Sequence, residues 1–154
     1  YLYPYVLISL ASGGGLVLFL VVWGVLHIEP WYTPQYTVPL AGMIFANSMN
    51  TVSLAAERYE SEIINGLSCE AAKKVAFQTG MIPVVNSMFA VGLVALPGMM
   101  TGQILSGVSP LIAVRYQIVV MCMLFAASGI CAALYLELIS RSAAIGDSAP
   151  QPLE

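Results

Sequence analysis

Residues 75–114 read VAFQTGMIPVVNSMFAVGLVALPGMMTGQILSGVSPLIAV, a run without Asp, Glu, Lys, Arg or His. As one helix it would be about 60 Å long, twice the ~30 Å hydrocarbon core of a bilayer. Two full spans plus a turn barely fit. Pro97-Gly98 divides the run. Proline can occupy the first position of a new helix, and Gly107 with Pro110 can end it. The piece 97–107 is then about 16 Å long, half a bilayer. The run reads as one span over 78–96 followed by a half-helix over 97–107, re-entrant or interfacial. Irregular backbone at that depth must be buried in protein or line a water-filled cavity.

The rest of the chain agrees with a lipid environment. Of 154 residues, 59% are hydrophobic and 8% charged, against roughly 25% charged in a soluble domain. Mean hydropathy is +0.86. A short soluble chain exposes a large share of its area to water, and five Lys/Arg with eight Asp/Glu cannot cover it. A soluble domain and an independent soluble enzyme are excluded. The net charge of −3 excludes nucleic acid, whose phosphates need clustered cations. The fold class is an all-α integral membrane protein with lipid as its main solvent.

The charges mark the spans. Residues 1–28, 30–56, 75–114 and 116–136 carry none. A span needs about 20 apolar residues, which gives four: 5–27, 37–56 (Pro39 in its first turn), 78–96 and 114–137. Residues 1–139 form the transmembrane domain, and the polar tail 140–154 reads as disordered. Residues 1–28 are longer than a signal-peptide core and lack a basic start, so they read as a span. The chain starts at Tyr1, and the true N-terminus is expected upstream. Trp23, Trp31, Tyr32 and Tyr36 resemble an interfacial aromatic belt. Arg58, Lys73, Lys74 and Arg141 place 57–74 and the tail in the cytoplasm by the positive-inside rule; Arg115 dissents.

Polar residues inside the spans are few. Asn47 and Asn50 lie three apart in the second span, with Ser48, Thr51 and Ser53 nearby. Asn86 and Ser87 stand in the third span, Thr101 and Gln103 in the half-helix, and Gln117 beyond it. They act either as interhelical hydrogen bonds or as the lining of a path; Asn47, Asn50, Asn86, Ser87, Thr101 and Gln103 are the lining candidates. Small residues recur every fourth position at Ser9 and Gly13 and at Gly98, Gly102 and Ser106, which predicts close helix packing. No ionisable group stands mid-span, where ion-coupled carriers usually need one. His27 and Glu29 diverge by about 200° on a helix, so no metal site is assigned to them. Met99 and Met100 offer thioethers to a soft ion, but methionine here is mainly packing. Cys69, Cys122 and Cys131 have no metal-type spacing and read as small apolar packers.

The stretches Met81-Ile82-Pro83-Val84-Val85-Asn86-Ser87-Met88, Val91-Gly92-Leu93-Val94-Ala95-Leu96-Pro97-Gly98-Met99-Met100-Thr101-Gly102-Gln103 and Ala113-Val114-Arg115-Tyr116-Gln117 closely resemble the membrane subunit of FetB-type ABC transporters, the iron-export permeases. Plant aluminium-tolerance permeases belong to the same family. Pro39-Leu40-Ala41-Gly42-Met43-Ile44, Asn47-Ser48-Met49-Asn50 and Glu57-Arg58 carry the resemblance into the second span, so that it covers residues 37–137. Members are longer, and this chain resembles their C-terminal part. A Leu-Gly-Ala-Thr-like stretch found in many members is missing from the short segment 57–74.

The resemblance implies a permease that exports a metal ion such as iron across the plasma (inner) membrane. The resemblance implies a permease subunit and not an enzyme. The chain has no Gly-rich phosphate loop, so ATP would be hydrolysed on a partner ABC ATPase subunit. No cofactor is expected on this chain itself. Two permeases would pair as a homodimer with two ATPases. The segment 57–74 would couple to the ATPase as a short amphipathic helix, through Glu57, Arg58, Glu60, Ile63, Ile64 and Leu67. Glu70-Ala71-Ala72 matches the start of the coupling-helix pattern of ABC importers. A structural or assembly subunit of a membrane complex, or an ATP-independent channel or carrier subunit, remains the alternative.

Overall fold

The computed structural model describes residues 3–25, 34–93 and 97–146. The first connection, with His27, Glu29, Trp31 and Tyr32, lies outside the described residues, as do 94–96 and 147–154. Every regular element among the described residues is helical. Helix α1 covers 3–25; it winds as α over Tyr3–Ser9 and Gly15–Phe19 and as π over Leu10–Gly14 and Leu20–Val25. Helix α2 is Pro34–Ile64, α3 is Cys69–Leu93, α4 is Gly98–Leu105 and α5 is Pro110–Gly146. Two stretches, Pro4–Val25 and Pro110–Ser142, are long and apolar enough to cross a bilayer. The chain is an all-α membrane protein.

Two turns with the same chemistry join the later helices. At the end of α2, Gly66 sits at φ +84; its N–H donates to the Ile63 carbonyl, and the Leu67 N–H donates to the Glu62 carbonyl. At the end of α4, Gly107 sits at φ +90; its N–H donates to Ile104, and the Val108 N–H to Gln103. Both are Schellman motifs, which need a left-handed residue just past the helix and so favour glycine. A serine follows two positions later each time. The Ser68 hydroxyl accepts from the Ala71 N–H at 3.4 Å, capping α3. Ser109 precedes Pro110, the first residue of α5, where the missing N–H costs nothing.

Several boundaries differ from those read in the sequence. The segment 57–74 is no separate amphipathic helix: it is the last turns of α2, a turn at 65–68 and the start of α3. Its charges mark where water begins, and the helices continue into that water. Pro39 stands inside α2 because the helix starts at Pro34. Pro110 opens α5 instead of ending α4. The tail expected to be disordered from 140 is helical to Gly146. There Arg141 Nε donates to Glu137 at 2.8 Å, one turn back, and the Ser142 hydroxyl lies 2.9 Å from Tyr5 OH on α1.

The core has two parts. Toward the ends of α2 and α5, Val52, Ala55 and Tyr59 pack with Ala72, Ala76, Cys131, Tyr135 and Leu10. Toward their starts, Leu40 and Ile44 pack with Val17, Val21, Val120 and Met123. Small residues set the closest approaches. A Cβ at Gly80 would lie 2.8 Å from the Thr51 carbonyl oxygen, and one at Gly13 would lie 2.9 Å from Cys131 Sγ. The close packing read from Ser9 and Gly13 is therefore formed between α1 and α5.

Candidate functional site

The end of the α2–α3 hairpin carries all six of the residues read as coupling contacts. Glu57, Arg58, Glu60, Ile63 and Ile64 lie on the last two turns of α2, and Leu67 lies in the turn; all six are exposed. Ile63, Ile64 and Leu67 do not share a helix face, because α2 stops at Ile64. They form an apolar tip instead, with Ile64 78% exposed. Arg58 bridges to the largely buried Glu62 at 2.5 Å.

Beneath the tip the hairpin is locked. Tyr59 is buried, and its hydroxyl lies 3.1 Å from Cys69 Sγ across the turn. Burial, then the Cys69 hydrogen bond, push the Tyr59 phenol up to about 12. Lys73 is held by two carboxylates, Glu70 at 2.6 Å and Glu137 of α5 at 3.3 Å. The Glu70 hydrogen bond is the main cause that raises the Lys73 ammonium above its ordinary value.

The six lining candidates fall in two places. Asn47 and Asn50 lie on α2 and Asn86 and Ser87 on α3, two helices that pack on each other; Thr101 and Gln103 lie on α4, which packs on α5. Asn47 is half-buried and donates to the Met43 carbonyl at 2.9 Å. Asn50, Asn86 and Ser87 are exposed, turned away from the core. Thr101 donates to the Pro97 carbonyl at 3.1 Å. The Gln103 carbonyl oxygen is buried without a hydrogen-bond partner.

The core holds polar groups that the sequence reading passed over. Ser128 and Tyr135 are fully buried on the inner face of α5, and neither hydroxyl has a partner. Their signal was the spacing Ser128, Cys131, Tyr135, a three-and-four step along one helix face.

The half-helix forms with Pro97 in extended geometry (φ −61, ψ 142) at its N-cap. Its small face is not in a tight contact. Gly98 and Gly102 are exposed, and a Cβ at either would meet nothing within 4 Å. Spacing alone could not say which small-residue stripe meets a neighbour. Met99 is exposed and Met100 half-buried. Among the described residues no group of three His, Cys, Asp or Glu could hold a metal ion.

The sequence profile of the uncharacterised protein family UPF0014 matches residues 1–144. The chain is 43% identical over 114 residues to UPF0014 membrane protein slr1647 of Synechocystis, covering 63% of this chain and 44% of that protein. It is 34% identical over 136 residues to Protein ALUMINUM SENSITIVE 3 of Arabidopsis thaliana, covering 79% and 49%. It is 33% identical over 138 residues to "Probable iron export permease protein FetB" of Escherichia coli, covering 80% and 52%. The chain spans about half the length of these relatives. No solved structure matches it.

Proposed function

This chain belongs to the uncharacterised protein family UPF0014, and from that premise we propose that it is membrane-spanning permease machinery of an ABC transporter. A separate ATPase subunit drives it, and it exports a metal ion such as iron from the cytoplasm across the plasma (inner) membrane. Four helices span: α1, α2, α3 and α5, with α4 as the half-helix near the outer mouth. Two copies pair, and their α2 and α3 amides Asn50 and Asn86, with Ser87, line the path. The cargo meets neutral oxygen donors there, which suits passage better than tight retention. The iron assignment draws on the name of one relative, the probable iron export permease protein of Escherichia coli.

One observation carries the reading: the exposed apolar tip Ile63, Ile64 and Leu67 at the charged end of the α2–α3 hairpin. Apolar side chains surrounded by charge, beyond the lipid, gain by entering a partner's groove. The ATPase is that partner. The test reconstitutes the full-length permease with its ATPase in vesicles and follows iron flux with and without ATP. Wild-type protein should give ATP-dependent flux and stimulated ATPase activity. Ile64→Asp should keep insertion and lose both. Flux that ignores ATP would replace the ABC reading with an ATP-independent carrier. An Ile64→Asp variant that still couples would remove the tip from the interface.

A further inference from the structure

A cleft of about 500 Å³ opens between the first turns of α3 and the stretch 133–137 of α5, lined by Lys73, Lys74, Phe77, Gln78, Leu136 and Glu137 among others. Its volume lies within the range of small-molecule sites. Its level in the membrane follows from α5. Residues 116–136 carry no charge and reach about 30 Å along a helix, one hydrocarbon thickness. Glu137 therefore stands at the boundary between hydrocarbon and headgroups. Lys73 reaches Glu137 at 3.3 Å, which places the adjoining turn of α3 at the same level.

The cleft is amphiphilic in the sense a lipid needs. Phe77, Ala133 and Leu136 supply apolar lining, while Lys74 and Gln78, one turn apart on α3, supply polar lining. The two carboxylates are already engaged: Glu70 by Lys73, and Glu137 by Lys73 and Arg141. The lining itself carries two lysines and two carboxylates; Arg141, one turn beyond on α5, also engages Glu137, which leaves Lys74 as the cation without a carboxylate of its own. Lys74 makes no ion pair among the described residues. An unengaged lysine at headgroup level beside an apolar surface is an element from which sites for anionic lipid headgroups are built.

We propose that this cleft binds an anionic phospholipid, its phosphate on Lys74 and its first methylenes on Phe77, Ala133 and Leu136. The bound lipid clamps the start of α3 to the 133–137 stretch of α5, beside the turn that carries the exposed tip. The inference does not depend on the transported cargo.

The test is thermal unfolding of the full-length protein in neutral detergent, titrated with phosphatidylglycerol or with phosphatidylcholine of the same acyl chains. Phosphatidylglycerol should raise the melting temperature saturably, and phosphatidylcholine should not. Lys74→Gln should weaken the apparent affinity about fivefold, the worth of one cation near an anionic headgroup. Ala133→Phe should reduce it by filling part of the cleft, and Arg115→Gln, far along α5, should leave it unchanged. Equal shifts from both lipids, or an unchanged response in Lys74→Gln, would overturn the site. The same shift from inorganic phosphate would show an anion site without a lipid. Loss of ATPase binding in Lys74→Glu, with the lipid response of Lys74→Gln intact, would make Lys74 a protein contact instead.

Discussion

Gly80 and Gly102 look alike in the sequence, each a glycine in an apolar helix, yet the structure separates them. At Gly80 the helices α2 and α3 come so close that a Cβ would meet the Thr51 carbonyl oxygen at 2.8 Å, and backbone cannot step aside cheaply. Gly80→Ala should therefore destabilise by about 1–3 kcal/mol, the range for overpacking. Gly102→Ala, whose Cβ meets nothing within 4 Å, should change stability little in the chain itself. Thermal unfolding of the two variants in detergent checks this; equal losses would contradict the close α2–α3 approach. Tyr59 supplies a second test at this scale. Its phenol is held neutral up to about 12, against about 10 for a free tyrosine. A raised acid favours its protonated form in the fold. That stabilisation is full below pH 10 and is lost as pH rises through about 12. The tyrosinate absorbance of wild type minus Tyr59→Phe should rise near pH 12 in folded protein. A midpoint near 10 would mean that Tyr59 is not buried.

At the scale of elements, the readable signals were the local ones. Pro97 and Gly107 bound α4 in the structure as they do in the sequence, because a fixed φ and a positive φ are properties of single residues. Gly66-Leu67-Ser68 follows the same rule as Gly107-Val108-Ser109, and it could have been read the same way. It was hidden by the charges around it, which marked the whole segment as a loop. Charge reports water, and a helix capped at both ends can run on into water. The extension of α5 beyond 140 was hidden for a different reason. It rests partly on the contact of Ser142 with Tyr5, 137 positions away, and no local pattern announces such a pair. The Schellman turn gives a test. Gly66→Val places a β-branched residue at φ +84, a region that costs L-residues about 1–2 kcal/mol. The hairpin tip should loosen, with faster protease cleavage at 65–68 and membrane insertion unchanged. Cleavage at the wild-type rate would mean that the turn does not need its left-handed residue.

At the scale of the whole molecule, the question is which surfaces meet lipid. Phe19, Trp23, Val38, Ile82, Phe89 and Ile118 are exposed and apolar, as a lipid-facing surface requires. Asn50, Asn86 and Ser87 are exposed as well, and an amide facing hydrocarbon without a partner costs several kcal/mol. The sequence showed these residues as polar points within spans. It could not show that they turn outward from their own bundle, because that follows from which face of α2 and α3 the core takes. The core takes Ser48, Thr51, Val52 and Ala55 on α2 and Ala76, Gly80 and Val84 on α3, so the amides are left outside. Water or protein must then cover them. Ser87 and Phe89 are two residues apart, close in depth but about 160° apart around the helix. In the proposed transporter Ser87→Cys should react with a small, membrane-impermeant thiol reagent, and Phe89→Cys should not. Native Cys69, at the hairpin turn, should react only from the cytoplasmic side. Labelling of Cys69 from outside intact cells would invert the topology. Silence at Ser87→Cys with normal reaction at Cys69 would keep the topology and place protein, not a water-filled path, against the polar face.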